Sequence, residues 1–187
     1  MCECYRVPEP SDDLVETAKR RVETGSDAAA DPPAIIDAVV DTTAAAPIDR
    51  GVGTLTAAFA IRRAVFVAEQ GVDSALEWDD AETEATHLLL VVNDRPVGVA
   101  RARLIDDSTV KAERVAVRPS ARGEGWGRRL MDAVEAVGVD ADANHCVLHA
   151  QQRVEGFYHN LGYQTVSEPF EEAGIPHVKM ERALSTQ

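Results

Sequence analysis

Glycines and arginines cluster where an apolar stretch, residues 115 to 117, gives way to a helix-like pattern. The clustered residues are Arg122, Gly123, Gly125, Gly127, Arg128 and Arg129. Glycine lets a backbone approach a ligand closely, and the first turn of a helix presents free N–H groups and a dipole that favours an anion. Arginine adds charge that suits phosphate. The segment therefore predicts a pyrophosphate-binding loop at the start of a helix.

The spacing of these residues narrows the ligand class. A nucleoside-triphosphate loop needs G-x-x-x-x-G-K-[ST], but Arg128 and Arg129 stand where the lysine and the hydroxyl should follow Gly123. A dinucleotide fingerprint needs a third glycine at the position of Arg128, and Asp142 is better interpreted as a loop residue than as its ribose-binding acid. What remains is R-x-x-G-x-G over residues 122 to 127. The alternative is a glycine-rich turn that only joins a strand to a helix.

A second motif lies downstream. Phe157 and Tyr158 follow a short apolar strand at residues 145 to 150 and precede Gly162 and Tyr163. In their order and spacing, the two motifs resemble the R-x-x-G-x-G and FY-x-x-x-G-[FY] signatures of the GNAT superfamily of acyl-CoA-dependent N-acetyltransferases. Residues 60 to 72 and 170 to 180 resemble one branch of it, small bacterial and archaeal proteins often labelled ElaA-like. The resemblance covers roughly residues 54 to 182.

The resemblance implies an α/β fold of the acyl-CoA N-acyltransferase type, a mixed and mostly antiparallel sheet with helices on both faces. It also implies that the backbone of Val115 and Val117 hydrogen-bonds the pantetheine arm of acetyl-CoA. Gln151 stands where the family often has asparagine, and its longer amide is expected to reach the same arm. The predicted acetyl-CoA-binding residues are Val115, Ala116, Val117, Arg122, Gly123, Glu124, Gly125, Trp126, Gly127, Arg128, Gln151 and Phe157.

Acetyl transfer to an amine calls for a base and an acid. A lysine-like amine is neutral in only about one molecule in 2,500 at pH 7, and a thiolate leaves more readily beside an acid. Tyr158 is the predicted acid, since the resemblance points its phenol at the thioester sulfur; a core tyrosine is the alternative. Glu113 is the predicted base, acting through a water, because alternation along a strand would place it on the face of Val115 and Val117. Its alternative role is a solvated strand carboxylate.

The predicted elements place these residues at the ends of strands and at the starts of helices. Hydrophobic periodicity and turn residues predict helices at 56–69, 125–137 and 153–161, and strands at 87–92, 97–104, 110–117, 145–150, 163–167 and 177–183. That the strands at 110 and 145 splay apart around the cofactor is implied by the resemblance alone. Where the resemblance implies the acceptor entrance, the chain has Glu69, Gln70, Glu77, Asp79, Asp80 and His87. Carboxylates there could attract a cationic amine, with surface charge as the alternative, and His87 is interpreted as a strand residue rather than a ligand.

Composition excludes several classes of partner. The formal net charge of the 187 residues is −13, which argues against nucleic acid as a partner. No apolar run is long enough to span a bilayer, and the first residues do not resemble a secretory signal, so a cytoplasmic location is predicted. Lys19, Lys111 and Lys179 are the only lysines. Few lysines and many carboxylates indicate a halophilic archaeal source, with an ordinary acidic protein as the alternative.

Cysteine and histidine spacing predicts no metal site and no disulfide framework. Cys2 and Cys4 lack a second half with zinc spacing, and Cys146 is expected to be a buried apolar residue. His145, His149 and His177 do not form a metal-binding spacing either. Residues 1–50 are predicted to form an acidic, partly flexible extension with a helix at 12–24, and residues 51–187 are predicted to form the N-acetyltransferase domain.

The prediction is an N-acetyltransferase that moves an acetyl group from acetyl-CoA to a primary amine of a small molecule or peptide. The amine attacks directly in a ternary complex, without a metal. A non-catalytic acyl-CoA sensor that is partnered through the acidic extension is the alternative function. Self-association as a homodimer through the extension is a further alternative.

Overall fold

The computed structural model describes residues 34–39, 51–77, 79–93 and 95–185, which form one eight-stranded sheet with helices on both faces. The strands are β1 (Ala34–Val39), β2 (Thr86–Val92), β3 (Arg95–Asp106), β4 (Thr109–Val117), β5 (His145–Gln151), β6 (Gln164–Thr165), β7 (Phe170–Glu172) and β8 (Ile175–Ala183). The helices are α1 (Gly51–Arg62), its π-helical continuation Arg63–Glu69, α2 (Ser74–Glu77), α3 (Trp126–Asp140) and α4 (Glu155–His159). Short 3-10 turns cover Asp80–Glu84, Pro119–Ala121 and Gln152–Val154.

The strand order in the sheet is β1-β2-β3-β4-β5-β8-β6, and β7 also pairs with β8. Among the described strands, β4 and β5 form the one parallel pair, and all other neighbours run antiparallel. Helix α3 makes the crossover that a parallel pair requires. This sheet confirms the predicted mixed, mostly antiparallel architecture.

Two apolar layers hold helices against the sheet. On one face, Leu130, Met131 and Val134 of α3 are buried, and their helical spacing gives α3 one apolar side. On the other face, Ile61 of α1 packs with Leu89 and other buried residues of the sheet. The two faces are called the α3 face and the α1 face below.

The parallel pairing of β4 and β5 ends partway along both strands. It runs from Thr109 opposite His145 to Ala112 opposite Leu148, whereas β4 continues to Val117 and β5 to Gln151. Beyond these pairs, the backbone N–H and C=O groups of β4 and β5 are not paired with each other. The predicted splay of these two strands is therefore present in the structure.

A β-bulge lies in β4 just after the last parallel pair. Arg114 has a φ of +52°, and the register with β3 shifts from Arg101 opposite Glu113 to Val99 opposite Ala116. β4 thus has one more residue than β3 between these two pairs. Such an extra residue reverses the alternation of side chains along the strand.

The bulge places Glu113 on the α1 face. Ala112 before the bulge, and Val115 and Val117 after it, all pack in the apolar layer of the α3 face. Glu113 alternates with Ala112 and therefore faces the other way. The prediction that Glu113 shares a face with Val115 and Val117 is wrong, because strict alternation does not hold through Arg114.

The first predicted helix also differs in detail. The helix begins at Gly51 rather than at residue 56, and it changes to π-helical geometry from Arg63 onward. At its end the Gln70 N–H donates to the Val65 carbonyl at 3.1 Å, five residues back. π-helical turns are rare and often occur at functional sites.

Two strands were not predicted. Ala34–Val39, assigned from sequence to the acidic extension, forms β1 and pairs with β2 along its whole length. Phe170–Glu172 forms β7, which joins β8 through the turn at Ala173 and Gly174. The predicted helix at residues 12–24 and the pair Cys2 and Cys4 lie outside the described residues. In the part of the chain that the structure describes, no helix is long and apolar enough to cross a membrane.

Candidate active site

A cavity of about 630 Å³ opens where β4 and β5 separate. Its walls come from the end of β4, the end of β5, the π-helical segment and α2, the turn between β7 and β8, and α4. Among the predicted residues, the cavity is lined by Glu113, Val115, Ala116, Val117, Arg122, Gln151 and Tyr158. The sheet therefore brings together residues that are far apart in the sequence.

The glycine-rich loop joins the end of β4 to the start of α3. Gly123 and Gly125 have φ values of +86° and +85°, and a side chain at either position would meet no atom within 4 Å. Glycine is needed at these two positions because the backbone is left-handed there, a conformation that costs other residues conformational energy. The first α-helical bond runs from the Arg129 N–H to the Gly125 carbonyl at 3.3 Å. The N–H groups of residues 126 to 128 precede this bond, as expected of a helix N-terminus that can bind an anion.

Gly127 is required for a different reason. A Cβ atom there would lie 3.1 Å from Cζ of Phe157, so the absence of a side chain lets the Phe157 ring pack on the first turn of α3. Arg128 donates to the Asn160 carbonyl at 3.2 Å and joins α3 to the end of α4. In the same loop, the Trp126 indole N–H donates to the Glu124 carboxylate at 3.0 Å. The two sequence motifs are thus in direct contact.

Replacing Gly125 with alanine is expected to lower the free energy of unfolding by about 1–2 kcal/mol, because alanine would have to adopt a left-handed conformation. Urea unfolding followed by circular dichroism measures the change. Gly156→Ala is the matched control, since Gly156 lies within α4 with nothing within 4 Å of an added Cβ. We expect the control to be as stable as the wild type or more so. Equal stability of the two variants would contradict the role assigned to Gly125.

Two side-chain bridges connect the end of the π-helical segment to the predicted acetyl-CoA residues. Arg122 binds the Glu69 carboxylate through two hydrogen bonds of 2.8 Å, and its Nε–H donates to the Val117 carbonyl at 3.0 Å. Gln151 donates to the Gln70 side-chain oxygen at 2.8 Å. The hydrogen bond from Arg122 is the main reason that the pKa of Glu69 lies below its usual value. Both bridges lie at the cavity wall, so a ligand there would contact or displace them.

Tyr158 is buried between the cavity and the apolar layer of the α3 face. The side chain is only 8% exposed, and the rings of Phe157 and Tyr163 lie edge-on to it at 4.9 and 6.0 Å. Burial raises the pKa of the Tyr158 hydroxyl to about 12. The phenol therefore stays protonated at neutral pH and can donate a hydrogen bond or proton to a group in the cavity.

Glu113 lines the cavity, and its carboxylate is ion-paired with three basic side chains. Its carboxylate lies 2.8 Å from Arg101, 3.0 Å from Lys111 and 3.3 Å from Arg103. Burial alone would raise its pKa, but the hydrogen bond from Arg103 and the charges of Arg101 and Lys111 outweigh burial and lower the pKa to about 2. A carboxylate with so low a pKa is a weak proton acceptor. The geometry thus favours a structural ion pair over the role of base.

Three residues that the sequence analysis did not select also line the cavity: His149, Glu172 and His177. Nδ1 of His149 lies 2.6 Å from the Glu172 carboxylate, and Nδ1 of His177 lies 2.8 Å from the Ile175 carbonyl. The alternation of β5 places His149 on the same face as Gln151. The sequence could therefore have predicted that His149 lies beside the cavity. Its contact with Glu172 depends on the turn between β7 and β8 and has no signal in the sequence.

Six residues were predicted for the acceptor entrance; the side chain of Asp80 lies outside the described part of the structure, and the other five divide into two groups. Glu69, Gln70 and Glu77 line the cavity. Asp79 and His87 instead belong to a charged cluster around the buried Arg101, where the partly exposed Asp79 binds Arg101 and His87 contacts the Glu82 carbonyl. Within the described residues, no group of three or more histidine, cysteine, aspartate or glutamate side chains is arranged to hold a metal ion.

The comparisons with known proteins agree with this geometry. The model of the acetyltransferase (GNAT) domain family matches residues 49–184. The uncharacterized N-acetyltransferase YjcF of Bacillus subtilis is 40% identical over 124 residues, which are 66% of this chain and 88% of YjcF. Protein ElaA of Escherichia coli is 36% identical over 137 residues, which are 71% of this chain and 90% of ElaA.

Solved structures share the fold. The crystal structure of Escherichia coli ElaA has a TM-score of 0.63 at 28% identity, over 81% of this chain and 98% of ElaA. An acyl-CoA N-acyltransferase from Pseudomonas aeruginosa has a TM-score of 0.66 at 25% identity, over 83% of this chain and all of that one. With a family model that covers most of its length and relatives that it matches almost end to end, the chain belongs to the GNAT family of acetyltransferases.

Proposed function

We propose that the protein transfers an acetyl group from acetyl-CoA to a primary amine of a small molecule or peptide. The observation that carries this proposal is a single cavity bounded by the separated ends of β4 and β5, by Arg122 of the glycine-rich loop and by the buried Tyr158. A thioester would have a channel between the two strands, with Arg122 in one wall and Tyr158 in another, and the N-terminus of α3 follows Arg122 by a few residues in the chain.

The residues present suit acetyl-CoA. Backbone groups of Val115 and Val117, beyond the last pair with β5, are available to hydrogen-bond the pantetheine amides as an added strand. The open space beside Gly123 and Gly125 leaves room for a pyrophosphate against the N-terminus of α3. Arg122 is already at this loop and can exchange Glu69 for a phosphate oxygen.

Support for direct attack in a ternary complex comes from the cysteine in the described part of the chain. Cys146 is fully buried, and burial is the main cause that raises the pKa of its thiol to about 11. A thiol that stays protonated is a poor nucleophile. An acetyl-cysteine intermediate at Cys146 is therefore disfavoured, and the amine attacks the thioester itself.

A panel of amines tests the function. Polyamines, amino sugars, amino acids and peptides with free N-termini are incubated with acetyl-CoA, CoA release is followed with a thiol reagent, and acetylated product is identified by mass spectrometry. We expect at least one class to be acetylated, with intersecting initial-velocity patterns. Tight acetyl-CoA binding with no acetylated product would instead identify a sensor.

The panel is run at low and at molar salt. With a net charge of −13 and three lysines in 187 residues, we propose that the chain works in a salt-rich cytoplasm. Activity and stability should then rise with salt, and flat behaviour would contradict the halophilic proposal without touching the enzymatic one. The homodimer also stays a prediction, which gel filtration checks.

A further inference from the structure

His149 stands at the point where β4 and β5 separate. It follows Leu148, the last β5 residue that pairs with β4, and it alternates with Leu148 and Ala150, both buried on the α3 face. Its imidazole therefore faces the α1 side, where it lines the cavity. About one third of the side chain is exposed, so a ligand in the cavity can reach it.

The imidazole of His149 is oriented by Glu172. Nδ1 lies 2.6 Å from the Glu172 carboxylate, and since an ionised carboxylate only accepts, Nδ1–H is the donor. In the neutral ring Nε2 then carries the lone pair and is the proton-accepting atom. The ring of Phe170 packs edge-on at 5.0 Å and further restricts the imidazole. The hydrogen bond from His149 is the main reason that the pKa of Glu172 lies below its usual value.

His177 is the second imidazole in this wall, and its surroundings differ. Its Nδ1–H donates to the Ile175 carbonyl at 2.8 Å, and its ring stacks on Phe170 at 6.2 Å between centroids. A neutral carbonyl stabilises an imidazolium less than a carboxylate does. His149 has the partner that a proton acceptor needs, and His177 does not.

Charged groups of several strands face His149. The cross-strand neighbour on β8 is Lys179, and β4 contributes Lys111 and Glu113 on the same face. Glu172 on β7 and His177 on β8 complete the surroundings. Of these groups, the Glu172 carboxylate is hydrogen-bonded directly to the imidazole.

Resting on the proposed acetyl transfer, we propose that His149 is the catalytic base and that Glu172 is its positioning residue. The amine nitrogen forms the bond to the acetyl carbon as the carbon–sulfur bond breaks and its electron pair leaves with sulfur. The proton of the nitrogen goes to Nε2 of His149, and Tyr158 supplies the proton of the thiol. Water then returns a proton to Tyr158 and removes the one on His149.

The test compares His149→Gln with His145→Gln in the full chain, with acetyl-CoA and the best amine of the panel. His145 is on the same strand and face but outside the cavity lining, next to Asn144. We expect His149→Gln to lower kcat/KM for the amine by about 100-fold or more, to abolish the acidic limb of the pH profile and to leave acetyl-CoA affinity within about twofold. The control should match the wild type.

Glu172→Gln tests the positioning role, with Glu171→Gln as its matched control on β7. Loss of the carboxylate charge should lower kcat and move the acidic limb of the pH profile, and Glu171→Gln should change neither. His149→Gln with wild-type activity and an unchanged acidic limb would overturn the base assignment. An unchanged kcat and an unchanged acidic limb in Glu172→Gln would overturn the positioning role. A wild type that acetylates no amine defeats the proposed function, and this inference with it.

Discussion

Tyr158→Phe is expected to lower kcat at least tenfold, and by as much as the 10² to 10⁴ that a positioned acid contributes, while acetyl-CoA affinity stays within about twofold. The phenol is buried in the cavity wall with a pKa of about 12, so it enters the reaction protonated. Removing one oxygen leaves the ring contacts with Phe157 and Tyr163 in place. The variant therefore separates proton donation from packing.

Steady-state kinetics with the best amine, and calorimetric titration of acetyl-CoA, measure the two quantities. Tyr163→Phe is the matched control, because Tyr163 is also buried, its hydroxyl donates to Glu135 at 2.9 Å and it is not among the residues that line the cavity. The control should lose stability rather than turnover. A Tyr158→Phe enzyme with wild-type kcat would remove Tyr158 from the mechanism.

The features that could be predicted from the sequence are those that depend on short, local patterns of residues. The glycines at 123 and 125 need left-handed backbone at fixed offsets, and the aromatic pair at 157 and 158 has a fixed distance to Gly162. These features predicted the loop, its helix and the aromatic pair. The strands β2 to β5 followed from apolar runs for the same reason.

The remaining differences between the sequence predictions and the structure come from long-range packing. The positive φ of Arg114 has no sequence signature, since arginine does not favour that conformation, yet it moves Glu113 to the other face. His149 and Glu172 are 23 positions apart in the sequence, and the turn between β7 and β8 brings them together. The predicted face of Glu113, on which its role as base rested, came from alternation alone, and alternation fails at Arg114.

Behind the cavity, the same irregularity places Glu113 in a buried charged cluster on the α1 face. Its centre is Arg101, 1% exposed, which binds Asp79 at 2.7 and 2.8 Å, Glu82 at 3.0 Å and Glu113 at 2.8 Å. Burial would lower the pKa of Arg101, but the hydrogen bond to Asp79 and the charges of Glu113 and Glu82 outweigh burial and raise it. The cluster connects β3 and β4 to Asp79 and to the 3-10 turn Asp80–Glu84.

Arg101→Met should therefore lower the free energy of unfolding by about 3–5 kcal/mol at pH 7, because it leaves carboxylates buried with fewer partners. Denaturant unfolding measures the change. Arg103→Met is the matched control: it also pairs with Glu113 but is 27% exposed, so we expect a loss of about 1 kcal/mol or less. Similar losses in both variants would contradict the central role of Arg101.

The charged cluster around Arg101 should also affect how the free energy of unfolding depends on pH. Glu113 and Asp79 each have a folded-state pKa of about 2, below their ordinary values of 4.5 and 3.8. A depressed pKa stabilises the fold above the unfolded-state value, and that stability is lost as the pH falls towards the folded-state value. Arg101→Met removes the main cause of the low pKa of Asp79 and a major cause of the low pKa of Glu113. The difference in unfolding free energy between wild type and variant should therefore be largest at pH 7 and shrink between about pH 4.5 and pH 2. A difference that stayed constant over this range would mean that Arg101 acts through packing rather than charge.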